Sequence, residues 1–204
     1  MGSNLSDAAW EAMHAHYDQP TYQAVCALLS PSDVVLDIGA GDLQLARQMA
    51  RMTRKVYAIE INALVLEQAH VVRELLPVNL ISFLADARAM DFPSDITTGV
   101  LMMRHCTCFR LFAEKLQKAG ASRLITNARW HMAVEVVDLR VQRKSFVEAG
   151  TGWYACVCGR IGFKEGPLEH WSVELDRMTN EVSNCPQCAQ EPREVGKAMV
   201  MEKL

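Results

Sequence analysis

The spacing of apolar positions changes repeatedly along the chain. Over residues 7–29, Ala8, Trp10 and Met13 and then Tyr22, Val25, Cys26, Leu28 and Leu29 recur at helical intervals around a break at Pro20, which predicts a helical entry segment. Ser30-Pro31-Ser32-Asp33 carries turn chemistry, and the continuous apolar run Val34–Ile38 suits a central parallel strand covered on both faces. Gly39-Ala40-Gly41-Asp42 interrupts the run before Leu45, Ala46, Met49 and Ala50 restart a helical period. The alternation continues with a strand over 55–61, a helix over 63–76, a strand over 79–86, a loop through Pro93, a strand over 99–103, a helix over 109–119, a strand over 122–127 and a helix over 132–148.

Strands and helices alternating at this spacing imply an α/β, doubly wound, mostly parallel sheet with helices on both faces, joined by right-handed crossovers. After Gly150 the texture changes. Gly152, Gly159, Gly162, Gly166, Pro167 and Pro186 break the apolar periodicity, and four cysteines appear. A hairpin over 153–165, a strand over 171–175 and a return strand over 198–202 are expected there. The organisation expected is a helical lid over 1–30, a core over 31–150 and C-terminal strands with a cysteine knuckle over 151–204, all in one globular domain.

A chain of 204 residues, half hydrophobic, is long enough for one full core. Its net charge of −3 indicates neither nucleic acid nor an anionic membrane as partner, although nucleic acid stays open because a local basic patch would not alter that balance. No apolar run approaches the ~18–20 residues that span a bilayer, and the first twenty residues lack the layout of a signal peptide, so no membrane partner and a cytoplasmic location are expected. In a reducing compartment the seven cysteines are then free thiols or metal ligands before they are disulfides.

Three short motifs stand at strand ends. Asp37-Ile38-Gly39-Ala40-Gly41 closes the first strand, Glu60 closes the second 21 positions after Gly39, and Asp86 closes the third in Phe83-Leu84-Ala85-Asp86-Ala87. A glycine-rich turn lets backbone approach a ligand closely, and an acid after the second strand suits a ribose diol. VLDIGAGD, VYAIEI and FLADARAMDFP, in this order, resemble the class I, Rossmann-like S-adenosylmethionine-dependent methyltransferases over roughly residues 30–150. The resemblance implies a seven-stranded sheet, S-adenosylmethionine as cofactor, and methyl transfer to an acceptor, small molecule or macromolecule, that the sequence leaves unnamed. It places the methionine moiety against Asp37, Gly39, Ala40 and Gly41, the ribose at Glu60, the adenine amino group at Asp86, and Ile61 and Ala87 beside the adenine. Leu43 stands where the family often has a third glycine. The rival reading, a dinucleotide fold, needs Gly-x-Gly-x-x-Gly for its pyrophosphate, and position 44 is Gln.

The loop after the fourth strand reads Met102-Met103-Arg104-His105-Cys106-Thr107-Cys108, without the Asn/Asp-Pro-Pro-aromatic signature of amino-group methylation in related enzymes. His105 is the candidate general base, since its ordinary pKa lies near ~6.5. Arg104 is a candidate for holding an acceptor carboxylate or phosphate, or for closing the cofactor pocket. Asn127, Arg129, Trp130 and His131 form a second polar and aromatic group after the fifth strand, a candidate acceptor wall, and Tyr17 and Tyr22 either fold over the cofactor or pack on the sheet.

Cys156-Val157-Cys158 and Cys185-Pro186-Gln187-Cys188 form two close pairs, the second spaced as half of a zinc ribbon and the first one residue short of it. A structural zinc is the expectation; free thiols and a redox pair stay open. Four thiolates leave no open position on the metal, so such a zinc would hold the segment together and not catalyse. A non-catalytic methyltransferase-like module that binds a cofactor or a partner through the knuckle is the alternative to an enzyme.

Overall fold

In the computed structural model, residues 17–71, 76–104, 106–129, 133–173, 175 and 177–190 are described. The chain divides into two compact units, Met1–Gln142 and Arg143–Leu204.

The first unit is built around β1 (Val34–Ile38), whose five residues are all buried, as a strand covered on both faces requires. Around it lie β2 (Lys55–Glu60), β3 (Leu80–Leu84), β4 (Thr98–Leu101), β5 (Arg123–Thr126) and β6 (Glu135–Asp138) in the order β3-β2-β1-β4-β5-β6. All neighbours pair in parallel except β5 with β6. The order reverses between β1 and β4, so their C-terminal ends open the crevice in which doubly wound sheets bind ligands.

Side chains alternate across the sheet. Val35, Ala58, Val100 and Ile125 face one core with α1 (Gln19–Ala27), α2 (Gln44–Ala50) and α3 (Ala63–Val71). Val34, Leu36, Ile38, Leu101 and Leu124 face the other with Phe109, Phe112 and Leu116 of α4 (Phe109–Lys118). In α1, Pro20 lies in the first turn behind an Asp18 cap that accepts from Thr21 N–H at 3.0 Å. It therefore starts the helix, where its missing N–H costs nothing, and does not break one. The rest of the expected entry segment, 7–16, lies outside the described residues.

Three expectations are corrected. Among the described residues the sheet of the first unit has six strands, not seven. The stretch read as a helix over 132–148 instead holds the antiparallel edge strand β6, where Val137 is buried and Val136 exposed. Its run of β-branched valines favours a pleated surface, and the short return from β5 lets it pair there. The strand expected over 171–175 is absent among its described residues. The second unit instead has its own sheet, in which β7 (Gly152–Cys156) pairs antiparallel with β8 (Ile161–Lys164), the expected hairpin, and parallel with β9 (Thr179–Val182). A short helix α5 (Pro186–Gln190) follows, and the return strand expected over 198–202 lies outside the described residues. Among the described residues no helix is long and apolar enough to cross a membrane.

The start of α2 is unusual. Leu43 has φ 63° and ψ 11°, the left-handed conformation that a glycine adopts without strain. Its side chain is wholly buried among Tyr22, Leu45, Ala46 and Met49. A strained leucine persists because burial outweighs the ~1–2 kcal/mol that left-handed backbone costs an L residue. Leu43→Ala keeps the strain and loses the packing, so denaturant unfolding should give a loss of about 3 kcal/mol. Leu43→Gly relieves the strain, so its loss should be smaller by about 1 kcal/mol, the reverse of the usual alanine-over-glycine order.

Candidate functional site

The turn after β1 keeps its amides inside the protein. Gly39 and Ala40 both donate N–H to the Ile59 carbonyl, at 2.9 and 3.0 Å, and Gly41 N–H reaches Oε2 of Glu60 at 2.8 Å. Leu43 N–H returns to the Ala40 carbonyl, and Gln44 N–H is capped by Asp42 Oδ1. Gly39 has φ 74°, and a Cβ there would stand 3.1 Å from Sδ of Met103, so conformation and close approach both call for glycine.

Glu60, 3% exposed, uses its second oxygen, Oε1, to accept Asn62 N–H at 2.8 Å. One carboxylate thus braces two turns, and each oxygen still has acceptor capacity for a ligand hydroxyl. Asn62 was not foreseen. It caps α3 by accepting from Leu64 N–H at 3.1 Å, and an Asn immediately before an apolar helical run was the available signal.

Asp37 shares the α1 and α2 face of β1 with Val35, is 2% exposed, and its Oδ2 has no hydrogen-bond partner among the described residues. Burial first, then the charges of Glu60 and Asp42, push its pKa up to about 7. Tyr22, buried on the same side, is pushed up to about 12 by burial and by the Asp42 and Asp37 charges. Just before the other end of β1 stands Asp33, which accepts from Arg123 Nη2 and Ser30 N–H at 2.6 Å each and from the Thr97 and Thr98 hydroxyls at 3.1 and 3.0 Å. Burial alone would raise its pKa, but the Ser30, Thr98, Arg123 and Thr97 contacts outweigh it and the carboxyl lies below its ordinary value. Two buried aspartates, four residues apart, are thus shifted in opposite directions.

Beyond β3, Ala85 N–H joins the strand end to the Glu60 carbonyl. Asp86 is held by Arg88, which donates from Nε and Nη2 to both carboxylate oxygens at 2.7–3.0 Å and from its backbone N–H to Oδ1. That pairing, above all, lowers the Asp86 pKa. The expected adenine ligand is therefore presented here with an exposed arginine on it. Ala87 is buried against the α4 face, and Ile61 is 60% exposed at the end of β2. Lys115 of α4, which no sequence signal marked, fixes this loop by donating to the carbonyls of Ala87, Arg88 and Met90 at 2.6–3.0 Å.

At the end of β4, the Tyr17 hydroxyl donates to the Met102 carbonyl at 2.9 Å, and the exposed Arg104 guanidinium lies 4.9 Å from the centre of the Tyr17 ring. Tyr17 therefore folds over the C-terminal edge of the sheet, whereas Tyr22 packs in the core. His105, Trp130 and His131 lie outside the described residues. Arg129 is buried and paired in bidentate fashion with Glu135, both bonds 2.9 Å, so it ties the β5–β6 connection. Asn127, just past β5, is buried, and among the described residues neither its side-chain oxygen nor its nitrogen has a partner.

In the second unit, the Sγ atoms of Cys156, Cys158, Cys185 and Cys188 all lie within 4.8 Å of one another. Cys156 to Cys188 is 3.7 Å and Cys158 to Cys185 is 3.8 Å. A tetrahedron of thiolates ~2.3 Å from a central zinc has edges of about 3.8 Å. The short Cys-x-Cys arm works because Cys156 ends β7 and Cys158 sits in the tight turn before β8, closed by Gly159 N–H on the Cys156 carbonyl. The other arm sits at α5, where Cys185 N–H donates to Cys188 Sγ at 3.3 Å. The contact between Cys156 and Cys158 draws the Cys158 thiol down to about 5 and raises Cys156.

No family model matches the chain, and no curated protein matches it. Solved structures do. The YcgJ protein from Bacillus subtilis is 17% identical, with a TM-score of 0.47 over 53% of this chain and 50% of that one. A precorrin-6y C5,15-methyltransferase from Geobacter metallireducens is 16% identical, with a TM-score of 0.48 over 54% of this chain and 63% of that one. An RNA methyltransferase from Salinibacter ruber, in complex with S-adenosyl-L-homocysteine, is 17% identical, with a TM-score of 0.46 over 54% of this chain and 76% of that one. The chain spans half the length of the first and less than two thirds of the second.

Proposed function

We propose that the first unit is an S-adenosylmethionine-dependent methyltransferase. The observation that carries this reading is the turn after β1, whose Gly39, Ala40 and Gly41 amides are all engaged internally while Asp37, Asp42 and Glu60 stand around it. A dinucleotide pyrophosphate needs free backbone amides at this turn. A ligand bearing an ammonium and a sulfonium finds the opposite surroundings favourable, and the orphan Oδ2 of Asp37 is an acceptor without a donor.

The donor set fits the cofactor. Asp37 takes the ammonium group, with Gly39, Ala40 and Gly41 giving close backbone approach. Glu60 takes the ribose hydroxyls while it braces Gly41 and Asn62. Ile61 and Ala87 flank the adenine, and Asp86 receives its amino group once the exposed Arg88 rotates aside. When bound, the cofactor supplies a methyl group on a sulfonium; the protein supplies alignment and exclusion of water. Tyr17 and Arg104 cover the β4 end of the crevice, and His105, which follows, is the candidate base for a protic acceptor. In the second unit, Cys156, Cys158, Cys185 and Cys188 hold a structural zinc that fastens the β7–β8 turn to α5.

Calorimetric titration with S-adenosylhomocysteine should give micromolar binding that Glu60→Ala weakens tenfold or more, about 1.4 kcal/mol. The affinity should rise from pH 5.5 to pH 8. A bound ammonium favours ionised Asp37, and below about 7 that carboxyl must first lose its proton. Asp37→Asn should bind weakly at every pH and flatten the profile. No binding in folded protein, or equal binding of NADH, contradicts the reading. Metal analysis of the full chain should find one zinc per molecule, lost in Cys185→Ser and on chelation, with the unfolding transition lowered in both; no bound metal contradicts the structural zinc.

A further inference from the structure

Asn127 is the side chain that the account above leaves unexplained. It is 2% exposed, and among the described residues neither its carbonyl oxygen nor its amide nitrogen has a hydrogen-bond partner. Leaving a buried polar group unpaired is destabilising, so an amide orphaned at both ends is kept for a reason other than stability.

Its place in the sheet says where a partner would sit. Asp37 pairs in register with Val100, and Val100 with Ile125, so Ile125 stands level with Asp37 two strands away. Val35, Val100 and Ile125 share one face of the sheet. By alternation Asp37 belongs to that face, and Asn127, two residues beyond Ile125, continues it one pleat nearer the C-terminal edge. Two strand spacings and one pleat put the Asp37 and Asn127 Cα atoms about 12 Å apart. Met102, just past the intervening strand β4, carries the Tyr17 hydroxyl on its carbonyl. Asn127 therefore lies on the opposite side of Asp37 from Glu60, where a methyl acceptor and not the adenosine would lie.

The chemistry of the amide narrows the ligand. Phosphates and carboxylates offer only acceptors and would leave Oδ1 unpaired, while ammonium groups offer only donors and would leave Nδ2 unpaired. A group with an adjacent donor and acceptor satisfies both, as when an asparagine reads an amino-substituted ring nitrogen in bidentate fashion. Resting on the cofactor assignment for its sense of direction, we infer that Asn127 is the recognition residue for the methyl acceptor, and that the acceptor presents a neutral donor–acceptor edge, either an amide or an amino-substituted nitrogen heterocycle.

The test uses the full chain and ligand-detected NMR, with and without saturating S-adenosylhomocysteine. The probes are nicotinamide for the amide edge, cytidine and adenosine for the amino-heterocycle edge, and benzoate, phenyl phosphate and benzylamine as controls. Nicotinamide or the nucleosides should bind and the controls should not; which of the two arms binds identifies the source of the edge. Asn127→Leu, apolar and of similar volume, should weaken that binding at least tenfold, leave S-adenosylhomocysteine affinity within twofold, and raise the melting temperature of the ligand-free protein. A structural asparagine would instead lower it. Binding of the controls as well as the probes, no probe binding, probe binding indifferent to Asn127→Leu, or a lowered melting temperature overturns the proposal. Failure of S-adenosylhomocysteine to bind while the probes still report Asn127 overturns the cofactor assignment and leaves the donor–acceptor edge standing.

Discussion

In the turn that follows β1, the amides of Gly39, Ala40 and Gly41 are held by one carbonyl of the neighbouring strand and one buried carboxylate. Left-handed backbone at Gly39, Gly41 and Leu43 makes this possible by folding the chain back on the end of β2. The rest of the site follows. With the Gly39, Ala40 and Gly41 amides taken up internally the turn offers little cradle for a phosphate, and Asp37, Asp42 and Glu60 around it disfavour anions. Bracing Gly41 and Asn62 together also fixes the start of α3 relative to the turn.

The same strand shows how one fold separates stability from function. Asp33, just before β1 begins, is matched by an arginine, two threonine hydroxyls and a backbone amide, and ties the N-terminal ends of β1, β4 and β5 together. Asp37, near its C-terminal end, is equally buried and incompletely matched. A carboxyl raised to about 7 favours the fold at low pH and loses that contribution as pH rises from its unfolded value near ~3.9 through 7. Its unfavourable ionisation is what a bound cation would offset. Asn127, at the same edge and on the same face, repeats the pattern with a neutral group. Unmatched polar groups thus stand at the C-terminal edge of the sheet, one beside the reversal of strand order at β1 and one past β5.

Much of this was readable in advance where chain pattern and local chemistry agree. The apolar run of β1, the glycine turn and the acids closing β2 and β3 depend on residues close in sequence, and they stand where expected. Val134, Val137 and Val141 fall at helical intervals, so pattern alone favours a helix over the edge strand β6; only pairing with β5 decides for a strand. The cysteines were legible as pairs, but the short Cys156–Cys158 arm became intelligible only once β7 and the turn before β8 placed it. The grip of Arg88 on Asp86, the role of Lys115 and the isolation of Asn127 depend on packing between distant segments, which periodicity does not encode.

The measurement that bears most directly on the central claim is a crystal structure of the full chain grown with S-adenosylhomocysteine. The account predicts ribose hydroxyls on the Glu60 carboxylate and the ligand ammonium on Asp37 Oδ2, with the Gly39, Ala40 and Gly41 amides still bonded inside the protein. A ligand bound elsewhere, or a turn whose amides have let go of Ile59 and Glu60 to hold an anion, would contradict it.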